Sequence, residues 1–114
     1  MLTVYGIKNC DTCRKARKWL NAEGVEHTFH DFRVDGFDAA NVSRWLEAVG
    51  WEKLLNRRGM TWRNLDESDK DRVDAAKAAT LMAGNPTLIK RPVFDDGRQI
   101  LVGFTEAEQK ALKA

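Results

Sequence analysis

The feature that most constrains the fold of this chain is a change of period near its N-terminus. Leu2-Thr3-Val4-Tyr5 has the composition of a short buried strand, and Gly6 through Cys10 reads as the turn that follows it. Beyond the turn, Cys13, Ala16 and Leu20 recur at helical spacing with Trp19 beside them, until Gly24 ends the helix. Asn9 or Cys10 can cap that helix, and Asp11 favours its first turn. Val25 to Phe32, rich in Val, Thr, Phe and His, reads as a second strand, parallel to the first through the usual right-handed crossover. An opening βαβ unit commits the chain to the α/β class.

From Asp38 to Val49 the pattern is helical, with Val42, Trp45, Leu46 and Val49 at i, i+3, i+4 and i+7 and Gly50 as the stop. Glu52–Asn56 and Thr61–Leu65 read as short helical pieces around Gly59. Ser68 is expected to cap a longer helix through Val73, Ala76, Ala79 and Leu81 to Gly84-Asn85-Pro86. These elements predict an all-helical insertion over about 38–84. Strand pattern then returns in Val93-Phe94-Asp95 and Gln99-Ile100-Leu101-Val102, a hairpin signalled by Asp96-Gly97. Thr105 and Glu108 form a capping box that opens a last helix, Glu106 to Lys113.

With 114 residues, 43% hydrophobic and 32% charged, the expectation is one domain over 1–114 with one core. No apolar run approaches the roughly 18 residues a bilayer span needs, and the N-terminus does not resemble a cleaved signal peptide. The expected location is therefore the cytoplasm. A net charge of +2 argues for no polyanionic partner, and no nucleic-acid-binding motif accompanies it, so no direct contact with nucleic acid or membrane is expected.

The chemistry concentrates in Cys10-Asp11-Thr12-Cys13, a C-x-x-C motif at the start of the first helix. Lys8, Arg14, Lys15, Arg17 and Lys18 surround it, with Asp11 as the only acid of that stretch. Free N–H groups at a helix N-terminus and nearby cations both favour an anion, so Cys10 should ionise more readily than a free thiol. Cys13, one turn along and more shielded, is within reach to resolve a mixed disulfide. Two ordinary helix cysteines are the plainer alternative, but in a reducing compartment paired thiols suggest chemistry or metal binding before a structural disulfide. A metal reading fails on geometry. Cys10, Cys13, His27 and His30 have C-x2-C-x13-H-x2-H spacing, yet on a strand the two histidines point to opposite faces. No metal site is expected.

Lys90-Arg91-Pro92-Val93 is a second candidate. The X-Pro bond before a strand is a plausible cis peptide. Pro92 is either an edge-strand proline beside two solvated cations, or the backbone before it faces the Cys10 turn and Arg91 offers a bidentate fork beside the thiolate. Arg57-Arg58 either turns to the same pocket or faces solvent.

Four segments together resemble the ArsC/Spx family, most closely its YffB branch. They are Gly6-Ile7-Lys8-Asn9-Cys10-Asp11-Thr12, Leu55-Asn56-Arg57-Arg58-Gly59, Asn85-Pro86-Thr87-Leu88-Ile89-Lys90-Arg91-Pro92-Val93 and Val102-Gly103-Phe104, in order over essentially the whole chain. The resemblance implies a thioredoxin-like fold with a mixed four-stranded sheet: a βαβ half, a C-terminal β-hairpin and helix, and the helical insertion between them. It implies Cys10 as the nucleophile, Cys13 as a resolving thiol, and Arg91, Arg58, Pro92, Asn9 and Thr12 as substrate-binding residues. The arsenate reductases of the family carry an arginine where this chain aligns Asn56, and a third arginine where it has Val102-Gly103-Phe104.

The expected function is a monomeric, glutathione-dependent thiol reductase with no bound cofactor, glutathione as co-substrate and glutaredoxin as a further partner. The alternative is an Spx-like redox-sensing transcription regulator that binds the C-terminal domain of the RNA polymerase α subunit; arsenate reductase ranks third.

Overall fold

In the computed structural model, which describes residues 2–113, the change of period is realised as β1 (Leu2–Gly6), α1 (Asp11–Ala22) and β2 (His27–Asp31). Strands β1 and β2 are parallel, with Leu2 opposite His27 and Gly6 opposite Asp31. Further along the chain, β3 (Val93–Asp95) pairs antiparallel with the other side of β1, and β4 (Ile100–Val102) pairs antiparallel with β3. The order β2-β1-β3-β4 makes the mixed four-stranded sheet of the thioredoxin-like fold that the family resemblance implies. Helix α1 buries Cys13, Ala16 and Leu20. Val4, Ala16, Leu20 and Phe94 form the core, flanked by Trp19, Phe29, Leu101, Phe104 and Leu112.

Two expectations about the second half sharpen. Pro92 is not on an edge: it is buried just before β3, an interior strand, and the Arg91–Pro92 bond is cis. The hairpin loop spans four residues rather than the three that the expected strands leave, because the Asp96 carboxylate accepts from the N–H groups of Arg98 and Gln99 and holds Gln99 in the turn. The final helix spans Glu106–Lys113, with the Glu108 carboxylate accepting from both the N–H and the hydroxyl of Thr105.

The chain divides into two compact units, the one just described, up to Phe37 and from Arg91 onward, and a second over Asp38–Lys90. The second unit holds α2 (Ala39–Val49), α3 (Trp51–Leu54), α4 (Met60–Arg63), α5 (Glu67–Lys70), α6 (Ala75–Gly84) and a 3-10 turn over Pro86–Leu88. Its buried residues include Val42, Trp45, Leu54, Ala78, Met82, Leu88 and Ile89. It runs past Gly84 to Lys90 because Leu55 bridges Ile89 and the Lys90 N–H donates to the Leu54 carbonyl at 2.7 Å.

One helix expected from the sequence does not form. Instead of a continuous helix capped by Ser68, the chain makes one turn at α5 and restarts at α6, with Arg72 between them in the left-handed region at φ 50°. The physical reason is competition from side chains. Asp74 accepts from the Lys77 N–H at 2.9 Å and so caps α6, while the Lys77 ammonium donates to the Ser68 and Asp71 carbonyls that a continuous helix would need. Among the described residues no helix is long and apolar enough to cross a membrane.

Candidate active site

The site lies at the end of the sheet where β1 stops. Antiparallel pairing sets Tyr5 opposite Val93, so the residues after Tyr5 and those before Val93 run out at the same end. Cys10 and Arg91 meet there. Cys10 is the N-cap residue of α1, in extended conformation, and the Arg14 N–H donates to its carbonyl at 2.9 Å. No side-chain oxygen caps the first turn, and the Cys13 N–H donates to the Cys10 sulfur instead. Both cysteines are free thiols, Cys10 half-buried and Cys13 fully buried.

Burial drives the two thiols the same way, and their neighbours separate them. Partial burial pushes the Cys10 thiol up, but the Cys13 N–H, the Cys13 thiol and the Arg91 guanidinium outweigh it, leaving Cys10 below its ordinary value. Full burial pushes Cys13 up to about 12; the Ile7 N–H and Arg91 oppose that rise, and the negative charge on Cys10 adds to it. Of the two thiols Cys10 is therefore the one that ionises first, with the Cys13 thiol donating to its sulfur. Such an arrangement stores a nucleophile ready to attack sulfur.

Cys13 can be buried because the residue behind it is glycine. A Cβ on Gly6 would stand 2.5 Å from the Cys13 sulfur and 3.6 Å from the Phe29 ring. The turn itself is held from β2. The Phe32 N–H donates to the Gly6 carbonyl at 2.9 Å, and the Lys8 N–H donates to Asp31 Oδ2 at 2.9 Å. Asp31 is 2% exposed, and its other oxygen accepts from the N–H groups of Arg33 and Val34. Burial pushes its carboxyl up, but the Lys8, Arg33 and Val34 N–H groups and the Lys8 charge more than offset that, so it lies below the usual carboxylate range. Asp31 is the residue sequence reasoning missed. Its one signal was position, since a parallel pair puts the last residue of β2 beside the last residue of β1.

The remaining candidates are distributed as follows. Asn9 is exposed on the turn and accepts weakly from Arg14 at 3.4 Å; Arg14 also pairs with Asp11. Thr12 is exposed in the first turn of α1. Pro92 is buried, and its carbonyl accepts from the Gly103 N–H at 2.9 Å. Arg58 belongs to the second unit, where it lines a basic pocket with Lys53, Arg57 and Lys90. His27 and His30 each bond a backbone carbonyl, that of Val25 and that of Gly36.

The ArsC family pattern matches residues 5–112. An uncharacterised protein of Haemophilus influenzae is 50% identical over 111 residues, covering 97% of each chain. The global transcriptional regulator Spx of Streptococcus mutans is 29% identical, over 97% of this chain and 82% of its own. A solved YFFB protein superposes with a TM-score of 0.94 at 45% identity, covering 100% of both chains. Sequence pattern, relatives and backbone agree, and the chain belongs to the ArsC family.

Proposed function

We propose that this protein is a thiol–disulfide oxidoreductase that reduces its substrates with glutathione through Cys10 alone. The observation that supports this most is the asymmetry of the pair: a half-buried thiol below its ordinary value beside Arg91, and a buried partner at about 12. The Cys10 thiolate attacks one sulfur of a substrate disulfide, the S–S bond breaks, and the leaving sulfur departs with the electron pair as a thiolate. A glutathione thiolate then attacks the Cys10 sulfur, releasing the second substrate thiolate. A second glutathione attacks that adduct, giving oxidised glutathione and the Cys10 thiolate. Two glutathiones thus supply the two electrons.

Cys13 is a slow competitor for the resolving step. Burial holds its thiol well above the ordinary value, up to about 12, so little of it is thiolate at neutral pH. A mixed disulfide at Cys10 removes its charge and its thiolate acceptor, two causes of that rise, but leaves burial, the largest. Arg91 suits an anionic group such as a glutathione carboxylate, to which its fork can donate twice. The reading assigns the protein to the cytoplasm, where thiols stay reduced.

The test is intact mass after equilibration in glutathione redox buffers and acid quenching. A gain of about 305 Da that persists in Cys13→Ser and vanishes in Cys10→Ser is expected. A loss of about 2 Da with no adduct would instead mean a Cys10–Cys13 disulfide and a two-thiol cycle. A second reading, a redox-sensing regulator, draws on the similarity to Spx. It requires binding to the C-terminal domain of the RNA polymerase α subunit that changes with thiol oxidation, and a pull-down negative in both redox states removes it.

A further inference from the structure

We infer that Asp31 is a positioning residue for the Cys10 thiolate, acting through the turn and Cys13 from the far end of β2. The links are short and continuous. Asp31 Oδ2 holds the Lys8 N–H and the Phe32 N–H holds the Gly6 carbonyl, each at 2.9 Å, so both neighbours of Ile7 are pinned to the end of β2. The Ile7 N–H shares the planar peptide unit of the pinned Gly6 carbonyl, and it points at the Cys13 sulfur. Gly6 closes the other side of the same sulfur, with no room for a methyl group. Cys13 is thereby fixed with its thiol directed at Cys10. A buried carboxylate with its acceptor oxygens occupied by backbone N–H groups does not rotate or exchange with water, which makes it a rigid strut for a loop that otherwise has two exposed residues, Lys8 and Asn9.

This inference rests on Cys10 being the reactive thiolate, but not on glutathione. It also has a sign that distinguishes it from plain electrostatics. Cys10 faces Arg91 and Cys13, and Asp31 faces Lys8 and the turn backbone. Were the Asp31 charge acting directly, neutralising it would make Cys10 easier to ionise. Were Asp31 positioning the relay, neutralising it would make Cys10 harder to ionise, because an amide must present its NH2 either to the Lys8 N–H or to the Arg33 and Val34 N–H groups.

The experiment measures iodoacetamide alkylation of Cys10 in the reduced, full-length protein from pH 5 to 9, read by intact mass, with folding verified by circular dichroism. In Asp31→Asn the midpoint moves up, and below it the rate falls about three- to tenfold. Asp35→Asn is the structural control. Asp35 accepts from the Asp31 N–H at 2.9 Å in the same turn, a bond an amide oxygen can keep, so this substitution removes a neighbouring charge without releasing the Lys8 N–H and does not raise the midpoint. Should Asp31→Asn not fold, Gly6→Ala breaks the relay at its next link and raises the midpoint in the same direction. A midpoint unchanged or lowered in whichever variant folds overturns the inference, as does an equal rise in Asp35→Asn. If the midpoint moves as expected but no glutathione adduct forms, only the proposed co-substrate is lost.

Discussion

Two loops of the first unit are each organised by an aspartate carboxylate, and they differ in where that carboxylate comes from. At the hairpin, Asp96 Oδ1 accepts from the N–H groups of Arg98 and Gln99, at 2.8 and 2.7 Å. The donors are two and three residues away, and the group is fully exposed. The Gln99 and Arg98 N–H groups hold Asp96 below the usual carboxylate range with little burial to oppose them. At the nucleophile turn, Asp31 reaches the Lys8 N–H from 23 residues away and is nearly inaccessible to water. The local arrangement forms in any context and competes with water for the same bonds. The remote one exists only when β1 and β2 are paired, and there water cannot replace it. A catalytic loop gains rigidity from the second kind, and its geometry then depends on the sheet.

The contrast can be tested from its strongest side. Asp31→Ala leaves the Lys8 N–H facing a buried void, and chemical denaturation should register a loss of about 3 kcal/mol. Its folded carboxyl lies below the unfolded value of about 4, so its stabilisation is complete above that pH and disappears as the pH falls through the folded value. Unfolding followed from pH 6 to 2 should therefore show an acid limb that shrinks in Asp31→Asn; an unchanged limb would mean that another carboxylate dominates it.

Next in size is Gly6→Ala, whose new Cβ meets the Cys13 sulfur at 2.5 Å and should cost about 1–3 kcal/mol. Adding Cys13→Ala should recover most of that loss, and failure to recover it would place the clash elsewhere. At the hairpin, Gly97 sits at φ 88° with open space around its Cβ position, so Gly97→Ala pays only the backbone term, about 1 kcal/mol. Smallest is Asp96→Asn. The amide keeps an oxygen for the Arg98 and Gln99 N–H groups, and thermal unfolding at neutral pH should not distinguish it from the parent. A large effect there would contradict the view that a local, exposed carboxylate is interchangeable with an amide.

Much of the fold was legible because it rests on short-range rules. The capping box at Thr105 and Glu108 gives the final helix the bounds expected, Glu106–Lys113, and the heptad-like spacing of Val42 and Trp45 gives the helix they share its buried face. The break between Lys70 and Ala75 was not legible, although its cause is also local. Asp74 and Lys77 rank as helix-tolerant residues in a periodic pattern, and only their actual bonds, to the Lys77 N–H and to the Ser68 and Asp71 carbonyls, show them ending one helix and starting another. Of the candidate site, the C-x-x-C motif and its place at a helix start were visible. So was the chance that Arg91 lies beside Cys10.

The sequence by itself determined that a strand, a turn with two thiols and a helix follow one another, because periodicity, capping and glycine stops act over a few residues. Only the tertiary structure decided what drives the two thiols apart. That depends on Arg91 arriving with β3, on Gly6 leaving space for the Cys13 sulfur, and on Asp31 gripping the turn from β2. Burial and charge proximity are properties of what surrounds a group in space, and two cysteines three residues apart carry no record of that until the strands have paired.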